Sequence, residues 1–190
     1  VNIIVTTPPA EPAVSVAEAK TMLRVDHSVD DTLISQLIYS AIDDVQNVGA
    51  RALVTQTLTL ALDGWPKDNV IRLWHPPVQS VISVRYYDES NVLQTMDSSD
   101  YVAITDVTPG LIVLASNASW PCNSMRAHSP VRVQYVAGYG AAASVPHDWK
   151  MDIMALVAIA YENREALSSQ AAAQRQNVLA RIKSRWGWAG

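Results

Sequence analysis

Between Leu33 and Val48 the apolar residues Leu33, Ile34, Leu37, Ile38, Ala41, Ile42, Val45 and Val48 recur every three or four positions, while Asp43, Asp44 and Gln46 fall opposite. That period matches the turn of an α-helix, so it predicts an amphipathic helix with one face in a core. Asp30 or Asp31 stands where a carboxylate caps the helix start and meets the positive end of its dipole. Gly49 supplies the left-handed residue that ends a helix. The period then drops to two: Leu53, Thr55, Thr57, Thr59 and Ala61 alternate with Val54, Gln56, Leu58, Leu60 and Leu62, the pattern of a strand. The stretch from Asp30 to Pro66 therefore marks the handover from a helical layer to a sheet, and Gly49 sets the angle between the two.

The same reading extends in both directions. Pro8, Pro9 and Pro12 deny regular hydrogen bonding, which predicts an extended arm over residues 1–14. Ser15 and Glu18 form a capping box that opens a short helix running to about Leu23. Strand-like runs follow at Val70 to Trp74, Val78 to Tyr87, Val92 to Met96, Tyr101 to Ile104, Leu111 to Leu114 and Val131 to Ala137, separated by turn signals. After Gly138 and Gly140, Pro146 opens a helix with Trp149, Ile153, Leu156 and Val157 on its apolar side, and a last helix spans Ser168 to Trp186. The predicted class is α+β: a bundle of about four helices with an antiparallel β insertion between the second and third. A single domain is expected over residues 1–190, with the arm at 1–14, helices at 15–50, the β insertion at 53–137, a helix at 145–167 and a basic, Trp-containing C-terminal segment at 168–190.

Composition agrees with a folded chain, 49% hydrophobic and 17% charged. The single cysteine, Cys122, excludes an internal disulfide and a cysteine-based metal cluster. No apolar run reaches the roughly 20 residues of a membrane span, and the start lacks the basic flank of a signal peptide, so a soluble protein made inside the cell is expected. The net charge of -4 is unevenly spread. Residues 166–190 hold four bases and no acid, while the preceding chain holds 10 bases against 18 acids. An acidic body of this kind repels a polyanion, which argues against ordinary nucleic-acid binding.

Catalytic motifs are sparse. Gly138-Tyr-Gly140-Ala-Ala-Ala143 fits a loose dinucleotide-loop pattern, but Glu162 and Glu165 lie within a predicted helix and no second parallel strand follows, so a glycine turn is expected. His27, His75, His128 and His147 sit in separate loops without the spacing of a zinc site. The pairs Asp30/Asp31 and Asp43/Asp44 diverge by about 100° on a helix, so neither pair converges on a metal or proton. No nucleophile elbow or phosphate loop is present, and no metal or cofactor is expected. The C-terminal segment is more informative. Arg175, Arg181, Lys183 and Arg185, with Trp186 and Trp188, place cations and large aromatics together. Arg and Trp are enriched at the centres of interfaces, and the basic segment suits another subunit's acidic surface, so they predict docking on a partner or a neighbouring subunit. The alternative is a helix packed on its own domain with a solvated basic face.

Several segments, in order, resemble one family: Val16-Ala-Glu18-Ala-Lys20-Thr-Met-Leu23-Arg-Val25-Asp26, Asp30-Asp31-Thr-Leu33-Ile34, Gly49-Ala-Arg51-Ala-Leu53-Val-Thr55-Gln56-Thr57, Pro76-Pro77-Val-Gln-Ser80-Val, Val136-Ala-Gly138-Tyr-Gly140 leading to Val145-Pro146, and Ala160-Tyr161-Glu162-Asn163-Arg164-Glu165. They are similar to the head-to-tail connector, or adaptor, proteins of long-tailed double-stranded DNA bacteriophages and gene transfer agents. The resemblance implies a non-enzymatic virion protein at the head-tail junction, assembled in the host cytoplasm. It implies a homo-oligomeric ring, commonly of twelve copies, beneath the portal protein. Such a ring extends the DNA channel without sequence-specific binding and presents a platform to a head-closure or tail-completion protein. On this reading the C-terminal segment docks on the portal, some of Asp30, Asp31, Asp43 and Asp44 line the channel, and the β insertion faces outward or tailward. Departures from the family are the end Trp186-Gly-Trp188 and the absence of Phe. Two other classes compete: a different tail or baseplate structural protein, and a small hydrolase using a carboxylate with His147 or His75.

Overall fold

The computed structural model describes residues 1–121, 124–164 and 168–186. The chain forms two compact units, residues 1–10 with 55–138 and residues 11–54 with 139–190. The first is a β unit and the second helical, an α+β protein as the two hydrophobic periods require.

The helical unit contains α1 (Val16–Leu23), α2 (Asp31–Gly49), α3 (His147–Glu162) and α4 (Ser169–Trp186). Its core joins Ile34, Ile38, Ala41, Ile42 and Val45 of α2 to Trp149, Ile153, Leu156 and Val157 of α3 and Ile182 of α4. These α2 residues are the predicted stripe. The capping box of α1 forms: the Glu18 amide donates to Ser15 Oγ at 3.2 Å, and the Ser15 amide donates to Glu18 Oε2 at 2.7 Å. Lys150 of α3 reaches Glu18 Oε1 at 3.0 Å. The Ser15 amide first, then the Lys150 ammonium, lower the Glu18 pKa from 4.5 to about 2 against the opposing effect of burial. A carboxylate with a depressed folded pKa stabilises the fold above its unfolded pKa and loses that contribution as pH falls. Stability should therefore drop between about pH 4.5 and about pH 2, and Glu18→Gln should flatten that part of the acid limb in urea melts.

Two expected helix ends differ from the pattern. Gly49 is not left-handed; the left-handed residue is Ala50, at φ 47°, whose amide bonds the Gln46 carbonyl. Gly49 is instead a packing glycine. A Cβ there would stand 2.7 Å from Cη2 and 2.9 Å from Cζ3 of the buried Trp149. At the other end Asp30 occupies the cap position, but its carboxylate makes no cap hydrogen bond. It is drawn to groups on and beside α3.

The β unit contains β1 (Asn2–Thr7), β2 (Gln56–Leu62), β3 (Val70–Leu73), β4 (Val78–Tyr87), β5 (Leu93–Thr95), β6 (Tyr101–Ile104), β7 (Gly110–Leu114) and β8 (Val131–Ala137). A five-stranded sheet runs β1-β2-β8-β4-β5 and a three-stranded sheet β3-β7-β6. Every strand pair is antiparallel. Buried side chains come from both sheets, including Leu58, Leu60, Val84, Val133 and Tyr135 from the larger and Ile71, Leu73 and Ile112 from the smaller. The Tyr135 hydroxyl donates to the Trp74 carbonyl at 2.5 Å, and burial raises its pKa.

Over Asn2–Thr7 the expected arm is an edge strand, because its amides precede Pro8 and remain free to pair with β2. Leu53 and Val54, predicted as the start of a strand, are core residues of the helical unit instead. The Gln46 side chain accepts from the Leu53 amide at 3.1 Å, and the Leu53 carbonyl accepts from the Tyr139 amide at 2.8 Å. Gly138 and Gly140 both have positive φ, 124° and 122°, as a turn requires. With no parallel pair among the described strands, there is no dinucleotide-binding crossover here.

Candidate functional site

The residues singled out for docking and for a channel lie mostly in the helical unit, and the helix packing determines what charge each leaves exposed. The two acids at the start of α2 are drawn to different helices. Asp31 pairs with Lys20 of α1 at 2.7 Å. Asp30 Oδ2 accepts from the Tyr161 hydroxyl at 2.5 Å and lies 3.4 Å from Arg164, whose guanidinium also covers the Tyr161 ring at 4.8 Å. The Tyr161 hydroxyl, helped by Arg164, holds the Asp30 carboxyl below the usual range. One turn from the end of α2, Asp44 pairs with Arg175 of α4 at 2.6 Å. Asp43 differs. It is exposed and makes no hydrogen bond or ion pair among the described residues.

The C-terminal basic residues divide in the same way. α4 packs on α2 and α3 through Ala171 and Ile182, with Val178 and Leu179 partly buried. Arg175 and Arg181 face that packing, Arg175 on Asp44 and Arg181 on Asp152 of α3. Their charge is answered inside the unit. Lys183 is exposed and unpaired among the described residues. Trp188 lies outside the described residues, as do the side chains of Arg185 and Trp186, whose backbone closes α4.

Asp152 was missed by sequence reasoning. It is 1% exposed, set among Trp149, Ile153 and Leu156. A lone acid on the apolar stripe of a helix is the signal that could have found it, since a buried carboxylate needs a cation. Lys20, Lys150, Tyr161 and Arg164 carried no such signal, because their partners lie on other helices.

For hydrolytic chemistry, His147 shares a groove of about 420 Å³ with Glu18, Lys150, Met22, Met151 and Met154. The Glu18 carboxylate there is already held by Ser15 and Lys150. His75 belongs to the β unit, where burial lowers its pKa. No cluster of three or more His, Cys, Asp or Glu suited to a metal ion occurs among the described residues. No helix among them is long and apolar enough to cross a membrane.

The whole fold is similar to chains in gene transfer agent (GTA) particles. A chain from the neck of an empty GTA particle, computed with C6 symmetry, superposes with a TM-score of 0.79 at 20% identity, covering 100% of this chain and 99% of that one. A chain from the virion of a native GTA particle gives 0.79 at 21%, with the same coverage. One from the neck of a native GTA particle, computed with C12 symmetry, gives 0.78 at 21%, again covering 100% and 99%. Among curated proteins none matches this chain in sequence. The sequence profile of the phage gp6-like head-tail connector proteins matches residues 13–108, from the core residue Ala13 through α1, α2 and the strands up to β6. The chain belongs to the phage gp6-like head-tail connector family, whose members are structural proteins of the head-tail junction.

Proposed function

We propose that this chain is a non-enzymatic virion subunit whose two units act as one connector domain, and that it assembles into a ring of twelve between the portal protein and a head-closure or tail-completion protein. The observation that carries this reading is the family match combined with a fold shared, end to end, with a chain from a neck computed with C12 symmetry. DNA passes through the ring without sequence-specific contacts, past a surface on which Asp43 is the α2 acid with an unanswered charge. Residues 178–190 dock on the portal, with Lys183, Arg185, Trp186 and Trp188 making the contact while Arg175 and Arg181 hold α4 in place. Imaging of assembled particles tests this. A twelve-fold ring of this chain at the head-tail junction is expected, and particles lacking residues 178–190 should fail to join portal-bearing capsids. Normal joining by the truncated chain would sink the docking assignment. Density confined to the tail or baseplate would replace the connector with the tail-protein reading.

A further inference from the structure

One face of the five-stranded sheet carries a groove of about 330 Å³, lined by Ile4, Thr59, Tyr87, Leu93, Gln134 and, between them, Ser83, Arg85 and Arg132. Arg85 and Arg132 stand directly opposite each other in the β4–β8 ladder. Facing like charges destabilise an antiparallel pair, and neither guanidinium has an ion-pair partner among the described residues. Arg85 Nε is buried without a hydrogen bond. A third arginine, Arg126, lies 3.7 Å over the Tyr87 ring and bonds Asn91 and the Ser129 carbonyl, neither of them an acid. Three acids of the same unit are held elsewhere. Asp88 accepts from the Val92 amide and Gln94, Asp97 from Ser99, and Asp68 pairs with Arg72.

A second observation is independent of the charges. Ser83 is only 7% exposed, lines the groove opposite Gln134, and its hydroxyl has no partner. A buried hydroxyl left unbonded costs stability unless something supplies the missing bond. Together a pair of facing arginines and an unpartnered hydroxyl describe a pocket shaped for an anionic oxygen acceptor.

We propose that this groove binds an extended acidic segment of a partner protein, with one carboxylate bridging Arg85 and Arg132 and a further polar atom of the segment meeting Ser83. Guanidinium groups match carboxylates in bidentate geometry, and two of them against one carboxylate remove the repulsion across the ladder. Ile4 and Leu93, 42% and 40% exposed, give the flanking side chains of a peptide an apolar wall at each end. Nucleic acid fits less well. Five bases face seven acids in this unit, and a duplex with a charge every ~1.7 Å would meet that acidic surplus, whereas one carboxylate meets only the arginines.

The test titrates the full chain with an acetylated oligoglutamate peptide, with oligoglutamine and short duplex DNA as controls, following backbone amide shifts. Saturable, salt-sensitive binding of the acidic peptide is expected, with shifts at Ser83, Arg85, Arg132 and Gln134. Arg132→Gln and Arg85→Gln should each weaken it about tenfold. The same Arg132→Gln should raise the melting temperature by about 1–3 °C, because it relieves the facing charges; a merely structural arginine would lower it. The proposal is overturned by a lower melting temperature in Arg132→Gln, by peptide affinity unchanged in both variants, by tighter binding of the duplex at these residues, or by self-association that depends on the two arginines. Ring assembly, measured by mass on the same variants, is expected unchanged, so loss of peptide binding leaves the connector assignment standing.

Discussion

Gly49→Ala should destabilise the helical unit by about 1–3 kcal/mol, the range for forcing a methyl into a packed core, and Gly49→Leu should prevent that unit from folding. The new Cβ would overlap the Trp149 ring at 2.7 and 2.9 Å and stand 3.5 Å from Ile182 Cγ2. Trp149 is fully buried in the core, so its ring has no free volume to move into, and both α3 and α4 would have to shift. One residue on, the sign reverses. Ala50 holds a left-handed backbone at φ 47°, which costs a residue with a side chain roughly 1–2 kcal/mol relative to glycine. Ala50→Gly should stabilise, by somewhat less than that because glycine loses more freedom on folding. Chemical melts of the two variants, read by the helical signal, separate these effects. A Gly49→Ala variant as stable as the parent would mean that the Trp149 ring yields to the new methyl.

Arg181→Ala should cost about 3 kcal/mol, the lower end for leaving one member of a buried ion pair alone, because half of the arginine surface is in solvent. The loss falls on Asp152, which is 1% exposed and whose Oδ2 has no hydrogen-bond partner even with Arg181 in place. Replacing both, as Asp152→Leu with Arg181→Met, should recover most of the stability, since no unpaired charge then remains in the core. Lys183→Ala, on the exposed side of α4, should leave stability unchanged within about 0.5 kcal/mol. The comparison matters for function. A connector that fails to join its partners when Arg181 is replaced has lost the seat of α4, whereas one that fails when Lys183 is replaced with its fold intact has lost a contact. Thermal melts alongside assembly assays distinguish the two.

These cases show why charge was harder to read than hydrophobic pattern. The stripe on α2, the capping box and the alternation in β2 and β8 depend on neighbours a few residues apart, so they were visible along the chain. Ion pairs join residues far apart in sequence. Asp44 with Arg175 and Asp152 with Arg181 pair two of the basic residues expected to meet a partner with acids of their own unit, and Asp30 and Asp31 likewise have partners on other helices. The edge strand Asn2–Thr7 was hidden for a related reason. Its pairing lies with β2, 50 or more residues away, while the nearest signal was the proline cluster that follows it.

By itself the sequence determined the class of each element, the order of helices around an inserted sheet and, through six short segments, the family. All of these rest on local periodicity or on runs of residue types. Only the tertiary structure decided which charges remain exposed on the surface, that Gly49 is required by the Trp149 ring and not by backbone handedness, and that Arg85 and Arg132 face each other across a ladder. Those outcomes depend on register and packing between distant segments, where a shift of one residue exchanges the buried and exposed faces of a strand.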